Sequence, residues 1–277
     1  MEAPLALRFA LNHMVAPGLD LADFFRLAAS LGSPEVEIRN DLPHRAIADG
    51  TSPEAVRAAA AEAGVTILSI NALQRFDDWN EARALEALDL TRFASASGAR
   101  ALVLVPVNDG PGGSESGRPR RLRGALQRLR PVLAEHGIMG LVEPLGFRSC
   151  SLRSKRDAAE AIEAVGGGMS FRLVHDTFHH ALAGEPDLFP GLTGMVHISG
   201  VADSAPLAGL EDRHRLLVDA SDRLDTVGQI SALVAAGYAG PFSFEPFAAE
   251  IHRLAEPGPA IAASMQFISS RLATQAA

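Results

Sequence analysis

RLVHDTFHH, residues 172–180, is an apolar, strand-like run that ends on a carboxylate, Asp176, and then opens into a polar segment. The same design recurs on either side of it. GLVEPLG (140–146) ends its apolar run on Glu143, GMVHISG (194–200) carries His197, and FSFEPF (242–247) carries Glu245. Four polar groups, distant in the chain, occupy equivalent places at strand ends. They converge only if the strands lie parallel and side by side, as at the mouth of a β/α barrel.

Outward from that stretch, strand-like and helix-like segments alternate through the chain. The expected strands are LRFAL (7–11), VEIR (36–39), VTILSIN (65–71), ALVLVP (101–106), IMGLVE (138–143), SFRLVHD (170–176), TGMVHIS (193–199) and PFSFEPF (241–247). The expected helices cover 20–31, 53–63, 80–97, 119–136, 154–164, a short one near 185–190, 225–236 and 258–273. Thr51-Ser52-Pro53-Glu54 shows the logic of a helix start: a hydroxyl cap, then proline at the first helical position, where its missing N–H costs nothing. Most of the strands lack period-two polarity, as strands buried on both faces do. Alternating βα units imply a parallel sheet covered by helices. An open doubly wound sheet is the rival. It calls for a glycine-rich phosphate turn after the first strand, where this chain reads NHMVAPG. The expectation is therefore an α/β protein, a (β/α)8 TIM barrel, with residues 1–277 as one domain; 277 residues suit the ~250 such a barrel needs.

Bulk properties exclude several classes. The net charge of −8 opposes nucleic-acid binding, whose affinity comes from Lys and Arg displacing counterions. The one basic run, Arg118 to Arg130, reads as a solvated helix face, with a subunit contact in a homo-oligomer or an anionic ligand as the alternatives. No apolar stretch approaches the ~20 residues of a membrane span, and MEAPLALRFALNH has no secretory leader pattern. A single cysteine, Cys150, excludes an intramolecular disulfide framework and a thiolate cage. A cytoplasmic protein without membrane or nucleic-acid partners is expected.

The strand ends, in order, carry Asn12 and His13, Arg39, Asn71, Pro106, Glu143, Asp176, His197 and Glu245. Glu143, Asp176, His197 and Glu245 form a mixed oxygen and nitrogen set that suits Mn2+, Mg2+ or Co2+ and can take Zn2+. The competing reading is that acids at strand ends cap the following helices. Three carboxylates around a dication disfavour an anionic ligand, so a neutral polyol or ketose fits best. If the chain turns helical after Asp176, His179 projects over the same mouth, where a neutral imidazole could bond a substrate hydroxyl. Alternation points His175 away. Arg213, in the loop after the seventh strand, is a candidate for holding a substrate oxygen.

These residues resemble the xylose-isomerase-like sugar isomerase/epimerase superfamily, which also includes endonuclease IV. The chain most resembles its inosose (2-keto-myo-inositol) isomerase branch. The likeness runs through VEIRNDLP (36–43), SINAL (69–73), FDDWN (76–80), VLVPV (103–107), LVEPLGFRSCSL (141–152), LVHDTFHHALAG (173–184), VHISG (196–200), EDR (211–213) and SFEPF (243–247). Family members often carry P-G-x-G after the loop arginine; this chain reads LLVDASDRLD (216–225). The resemblance implies a divalent metal held by Glu143, Asp176, His197 and Glu245, with Glu143 and Glu245 as the acid/base pair and His179 near the substrate. It implies isomerisation by proton transfer through a metal-bound enediolate, in carbohydrate metabolism and inositol catabolism. Arg39 and Asn71 would orient hydroxyls; a buried Arg39 needs a partner, either Glu37 or substrate. Ketose 3-epimerase and inosose dehydratase stay open on the same residues, with a DNA-repair nuclease and a non-catalytic sugar-binding protein as more distant alternatives.

Overall fold

The computed structural model describes residues 7–42, 47, 49–110 and 117–275. Eight parallel strands close into a barrel in chain order: β1 (Phe9–Asn12), β2 (Glu35–Arg39), β3 (Thr66–Gln74), β4 (Ala101–Val105), β5 (Met139–Val142), β6 (Phe171–Asp176), β7 (Thr193–Ile198) and β8 (Phe242–Phe244). Between and after them run α1 (Leu21–Ser30), α2 (Pro53–Ala63), α3 (Glu81–Ser97), α4 (Arg118–His136), α5 (Lys155–Ala164), α6 (Thr177–Ala183), α7 (Thr226–Ala235), α8 (Ala249–His252) and α9 (Pro257–Gln275). The expected (β/α)8 barrel is the observed fold.

Helix boundaries follow local chemistry. Ser52 accepts the Ala55 N–H and Pro53 opens α2, while Gly64 at φ +69° closes it in a conformation that a Cβ would strain. The short helix expected near 185–190 is not there. The chain turns helical at once after β6, as α6, because Asp176 Oδ1 accepts the N–H groups of Phe178 (2.8 Å) and His179 (2.9 Å). Gly184, with φ +66°, ends α6, and Pro186 and Pro190 follow, which disfavour helix. The four-residue α8 was not expected; it is one turn in the loop after β8.

The barrel packs in layers. Most of the apolar core lies in one large cluster, with β-strand residues such as Leu11, Ile38 and Phe244 packed with helix residues such as Phe24, Leu129 and Ile261. A second cluster gathers Ala10, Leu68, Val103, Leu141, Val174 and Met195, all buried. Side chains alternate along a strand. So Ala10, Leu141, Val174 and Met195 share the inward face with Asn12, Glu143, Asp176 and His197, two residues further on. The apolar set floors the barrel and the polar set lies above it, at the C-terminal ends of the strands. Among the described residues no helix is long and apolar enough to cross a membrane.

Candidate metal centre

Glu143 follows β5, Asp176 ends β6, His197 lies one residue before the end of β7, and Glu245 follows β8. The register sets Asp176 beside His197 and His197 beside Ser243. One ligand-type atom from each of Glu143, Asp176, His197 and Glu245 lies within 4.8 Å of all the others, and all four residues are buried. The common focus is His197 Nδ1. It lies 2.9 Å from Glu143 Oε1, 3.2 Å from Glu245 Oε2 and 3.9 Å from Asp176 Oδ2.

The donor set passes a chemical test for a cation. Around an ion with ~2.1 Å bonds, adjacent ligand atoms lie ~3.0–3.4 Å apart and opposite ones ~4.2 Å; the observed spacings need little adjustment. The opposite ring nitrogen, Nε2, lies 3.1 Å from Glu37 Oε1 and 3.2 Å from Oε2. A carboxylate only accepts, so Nε2 carries a proton. Nδ1 of a neutral ring is then a lone pair aimed at three carboxylates, and only a cation or a second proton satisfies that arrangement.

The charge count agrees. Glu37, Glu143, Asp176 and Glu245 are buried with two buried guanidiniums, Arg39 and Arg215. Four buried carboxylates outnumber two guanidiniums, and Arg39 also pairs with Asp41, so the excess is negative and suits a cation. The groups shift one another's protonation. Burial disfavours a charged His197, but Glu245, Glu37 and Glu143 together raise it well above the ordinary histidine value. Burial pushes Glu143 up, against the pull of His197. Burial opposes ionisation of Glu245 too, yet His197, Arg215 and Arg39 hold it well below the usual range. Glu37 falls to about 2 because His197 and its hydrogen-bond donors outweigh its burial.

Arginines clamp one side of the cluster. Arg39 Nη1 donates to Glu245 Oε1 (2.8 Å), and its Nε and Nη2 grip Asp41 in a bidentate pair (2.8 and 2.7 Å). The partners of Arg39 are thus Glu245 and Asp41 rather than Glu37. Asn71 is turned to Glu37 and Ser69, to which its Nδ2 donates at 2.9 and 3.0 Å. His179 is buried over the mouth, its ring edge-on to Phe147 and Phe178, with centroids at 5.0 and 5.2 Å. Its Nδ1 is shielded from solvent without a hydrogen-bond partner in the protein, which leaves the other ring nitrogen, Nε2, to meet a substrate hydroxyl.

Arg213 is placed elsewhere. Its side chain is 66% exposed and pairs with Glu211. The guanidinium that enters the cluster is Arg215, which donates to Asp176 Oδ2 (2.6 Å), Glu245 Oε2 (3.0 Å) and Ser199 Oγ (3.1 Å). It lies over the rings of Phe247 (4.7 Å) and Phe178 (5.3 Å). Its backbone explains the choice. Leu216 exchanges both hydrogen bonds with Gly200, and Arg215 O accepts from Phe247 N and Ala248 N, so the loop is tied to the ends of β7 and β8 at residue 215. The apolar LLV that follows was the available signal. Glu37 also escaped assignment to the site; its signal was an acid inside an apolar strand, two residues before Arg39 and on the same face. His175, expected to point away, is fully buried behind the barrel wall, with Nδ1 2.8 Å from Lys155 Nζ and Nε2 3.0 Å from Gln229 Oε1.

Comparison with known proteins follows the same lines. A family model described as xylose isomerase-like TIM barrel matches residues 25–271. A xylose isomerase domain containing protein from Salmonella typhimurium LT2 superposes with a TM-score of 0.88 at 35% identity, covering 96% of this chain and 97% of that one. An IOLI protein with a binding zinc atom gives a TM-score of 0.83 at 19% identity over 97% and 99% of the two chains. D-psicose 3-epimerase from Clostridium cellulolyticum H10, solved with D-tagatose, gives 0.72 at 15% identity over 96% and 99%. Among curated proteins, no sequence matches significantly.

Proposed function

We propose a function from one premise: the chain belongs to the xylose isomerase-like TIM barrel family. It is a divalent-metal-dependent isomerase or epimerase of a small, unphosphorylated polyol ketone or ketose, with 2-keto-myo-inositol as the leading substrate. The carrying observation is that two buried glutamates from different strands, Glu143 and Glu245, meet at one imidazole nitrogen. The zinc of the IOLI protein and the sugar of the psicose epimerase support the reading.

Glu143, Asp176, His197 and Glu245 would hold the cation. Bound there, it would supply Lewis-acid stabilisation of negative charge on the substrate's carbonyl and hydroxyl oxygens. The protein's own groups move the proton. Glu143, which among the described residues has no arginine or lysine in ion-pairing range, takes the proton from the carbon beside the carbonyl. Glu245, fixed by Arg39 and Arg215, faces the same carbon region from β8. For isomerisation one of them returns the proton at the neighbouring carbon while the hydroxyl proton passes to the former carbonyl oxygen; for epimerisation Glu245 returns a proton at the same carbon on the opposite face. Such acid–base catalysis contributes ~10²–10⁴-fold. His179 bonds a substrate hydroxyl. Both buried guanidiniums are already paired with carboxylates, so neither is free for a phosphate, which favours a neutral substrate over a phosphorylated one.

The test is solvent exchange. Incubated with zinc or manganese and 2-keto-myo-inositol in D2O, the wild type incorporates deuterium beside the carbonyl, read by NMR. Glu143→Gln and Glu245→Gln each abolish it. Retained exchange in both variants removes the pair from the chemistry. The product separates the readings: a shifted carbonyl, an inverted centre, or lost water for a dehydratase. No exchange with any ketose by metal-loaded wild type would favour a binding protein.

A further inference from the structure

We infer that Glu37 is a positioning residue that fixes the tautomer of His197, so that Nδ1 and not Nε2 is presented to the cation. The inference rests on the metal centre proposed above and reaches beyond its four ligands.

Glu37 sits in β2, fully buried, inside the barrel. Donors reach it from four other strands. Ser69 Oγ (2.6 Å) and Asn71 Nδ2 (2.9 Å), both of β3, donate to Oε2. Ser243 Oγ of β8 donates to Oε1, and Asn12 Nδ2 of β1 lies 3.5 Å from the same oxygen. His197 Nε2 of β7 lies between the two oxygens, at 3.1 and 3.2 Å. An ionised carboxylate offers about four lone-pair directions and no donor. Here N–H or O–H groups meet both oxygens, so the carboxylate cannot rotate away from His197 without breaking the Ser69 and Ser243 hydroxyl bonds.

This arrangement decides which imidazole nitrogen is bare. Histidine's two nitrogens are distinct, and the bond made by one sets the chemistry of the other. With Nε2–H held by Glu37, the lone pair is on Nδ1, the nitrogen surrounded by Glu143, Glu245 and Asp176. The Glu37 charge also makes the ring a stronger donor toward a cation. Asn71 and Ser69 thus act on the centre through Glu37, holding it in place from the inward face of β3.

Zinc affinity tests the inference, measured by competition with a chromogenic chelator on the full chain. Glu37→Gln keeps the shape but replaces one acceptor oxygen by an NH2 group that faces donors. It should weaken zinc by about 10–100-fold, with far-UV circular dichroism unchanged. A second readout needs no variant. Long-range 1H–15N spectra of 15N-histidine-labelled, zinc-loaded wild type should show His197 protonated on Nε2 and metallated on Nδ1, its signals identified by their loss in His197→Gln. If wild type binds zinc and Glu37→Gln binds it equally, the inference fails while the metal centre stands. If wild type binds none, the metal centre itself fails. If Glu37→Gln does not fold, the wild-type spectrum decides: metallation at Nε2 overturns the inference.

Discussion

Gly146 is the position where one added carbon should propagate furthest into the site. It lies just past Glu143, and its backbone faces α6, the helix that carries His179 and is capped by Asp176. A Cβ built on Gly146 would meet His179 O, the Leu182 Cβ at 2.5 Å and the Ala183 N at 2.9 Å. Two of these are backbone atoms, which cannot swing aside as a side-chain tip would. Nor can Gly146 retreat easily. Arg153 Nε and Nη2 donate to Gly146 O at 3.0 and 2.8 Å, and Nη2 reaches Leu182 O at 3.3 Å, so one guanidinium clips the loop to the helix. Overpacking of this kind costs ~1–3 kcal/mol, and loosening the Arg153 clip adds to that, so Gly146→Ala should lose about 3 kcal/mol. For a chain of this size each kcal/mol moves the midpoint by ~2–4 °C, giving a fall of about 6–12 °C. Differential scanning fluorimetry measures it, with Gly191→Ala as control because a Cβ there meets nothing within 4 Å. Zinc affinity should fall as well, since the helix end that Asp176 caps is displaced. Gly146→Ala melting with the wild type, or no lower than Gly191→Ala, would refute the close packing of the loop on α6.

Three further outcomes follow from the structure. Arg215→Met should destabilise by ~3–5 kcal/mol, because it leaves the buried Asp176 and Glu245 short of a counter-charge; Arg213→Ala, at an exposed pair, should stay within ~0.5 kcal/mol in urea melts. Lys155, buried against His175, has its ammonium lowered by burial from 10.5 to about 8. Between those values the unfolded chain binds more protons than the folded one, so stability attributable to this group rises with pH across that window and its burial penalty is fully present below it. The stability of wild type relative to Lys155→Met should therefore rise by roughly 3 kcal/mol from about pH 7 to about pH 10.5; a flat difference would contradict a buried, desolvated ammonium. The Cys150 thiol, raised by burial to about 11, should resist a disulfide reagent at neutral pH until the chain is unfolded.

The barrel was legible because its signals are local and repeated: apolar runs of strand length, hydroxyl caps, and glycines that close helices. The clustering of Glu143, Asp176, His197 and Glu245 was legible for a related reason, since each acid or imidazole sits on the inward face at the end of its strand. What escaped depends on distance in the chain. One partner of Arg39, Asp41, is two residues along, but the other lies 206 residues away at Glu245, and no local pattern reports that contact. Arg215 rather than Arg213 enters the site because a two-residue bridge to Gly200 sets the loop's register, and a polar loop shows no periodicity from which to read it. The helix after Asp176 was misplaced downstream because TFHHALA (177–183), with two histidines, a phenylalanine and a β-branched residue, is a weak helix former; its start comes from Asp176 acting as cap. Asp176 thus shows that capping a helix does not remove a carboxylate from the cluster, since one oxygen caps α6 while the other faces His197 and Arg215.

Metal stoichiometry tests the central claim most directly. The protein is loaded with zinc or manganese, desalted, and measured by elemental analysis beside His197→Gln and Asp176→Ala. The structure predicts about one ion retained per wild-type chain and little in either variant. Metal-free wild type, or variants that keep the ion as tightly as wild type does, would show that these side chains gather for some other purpose.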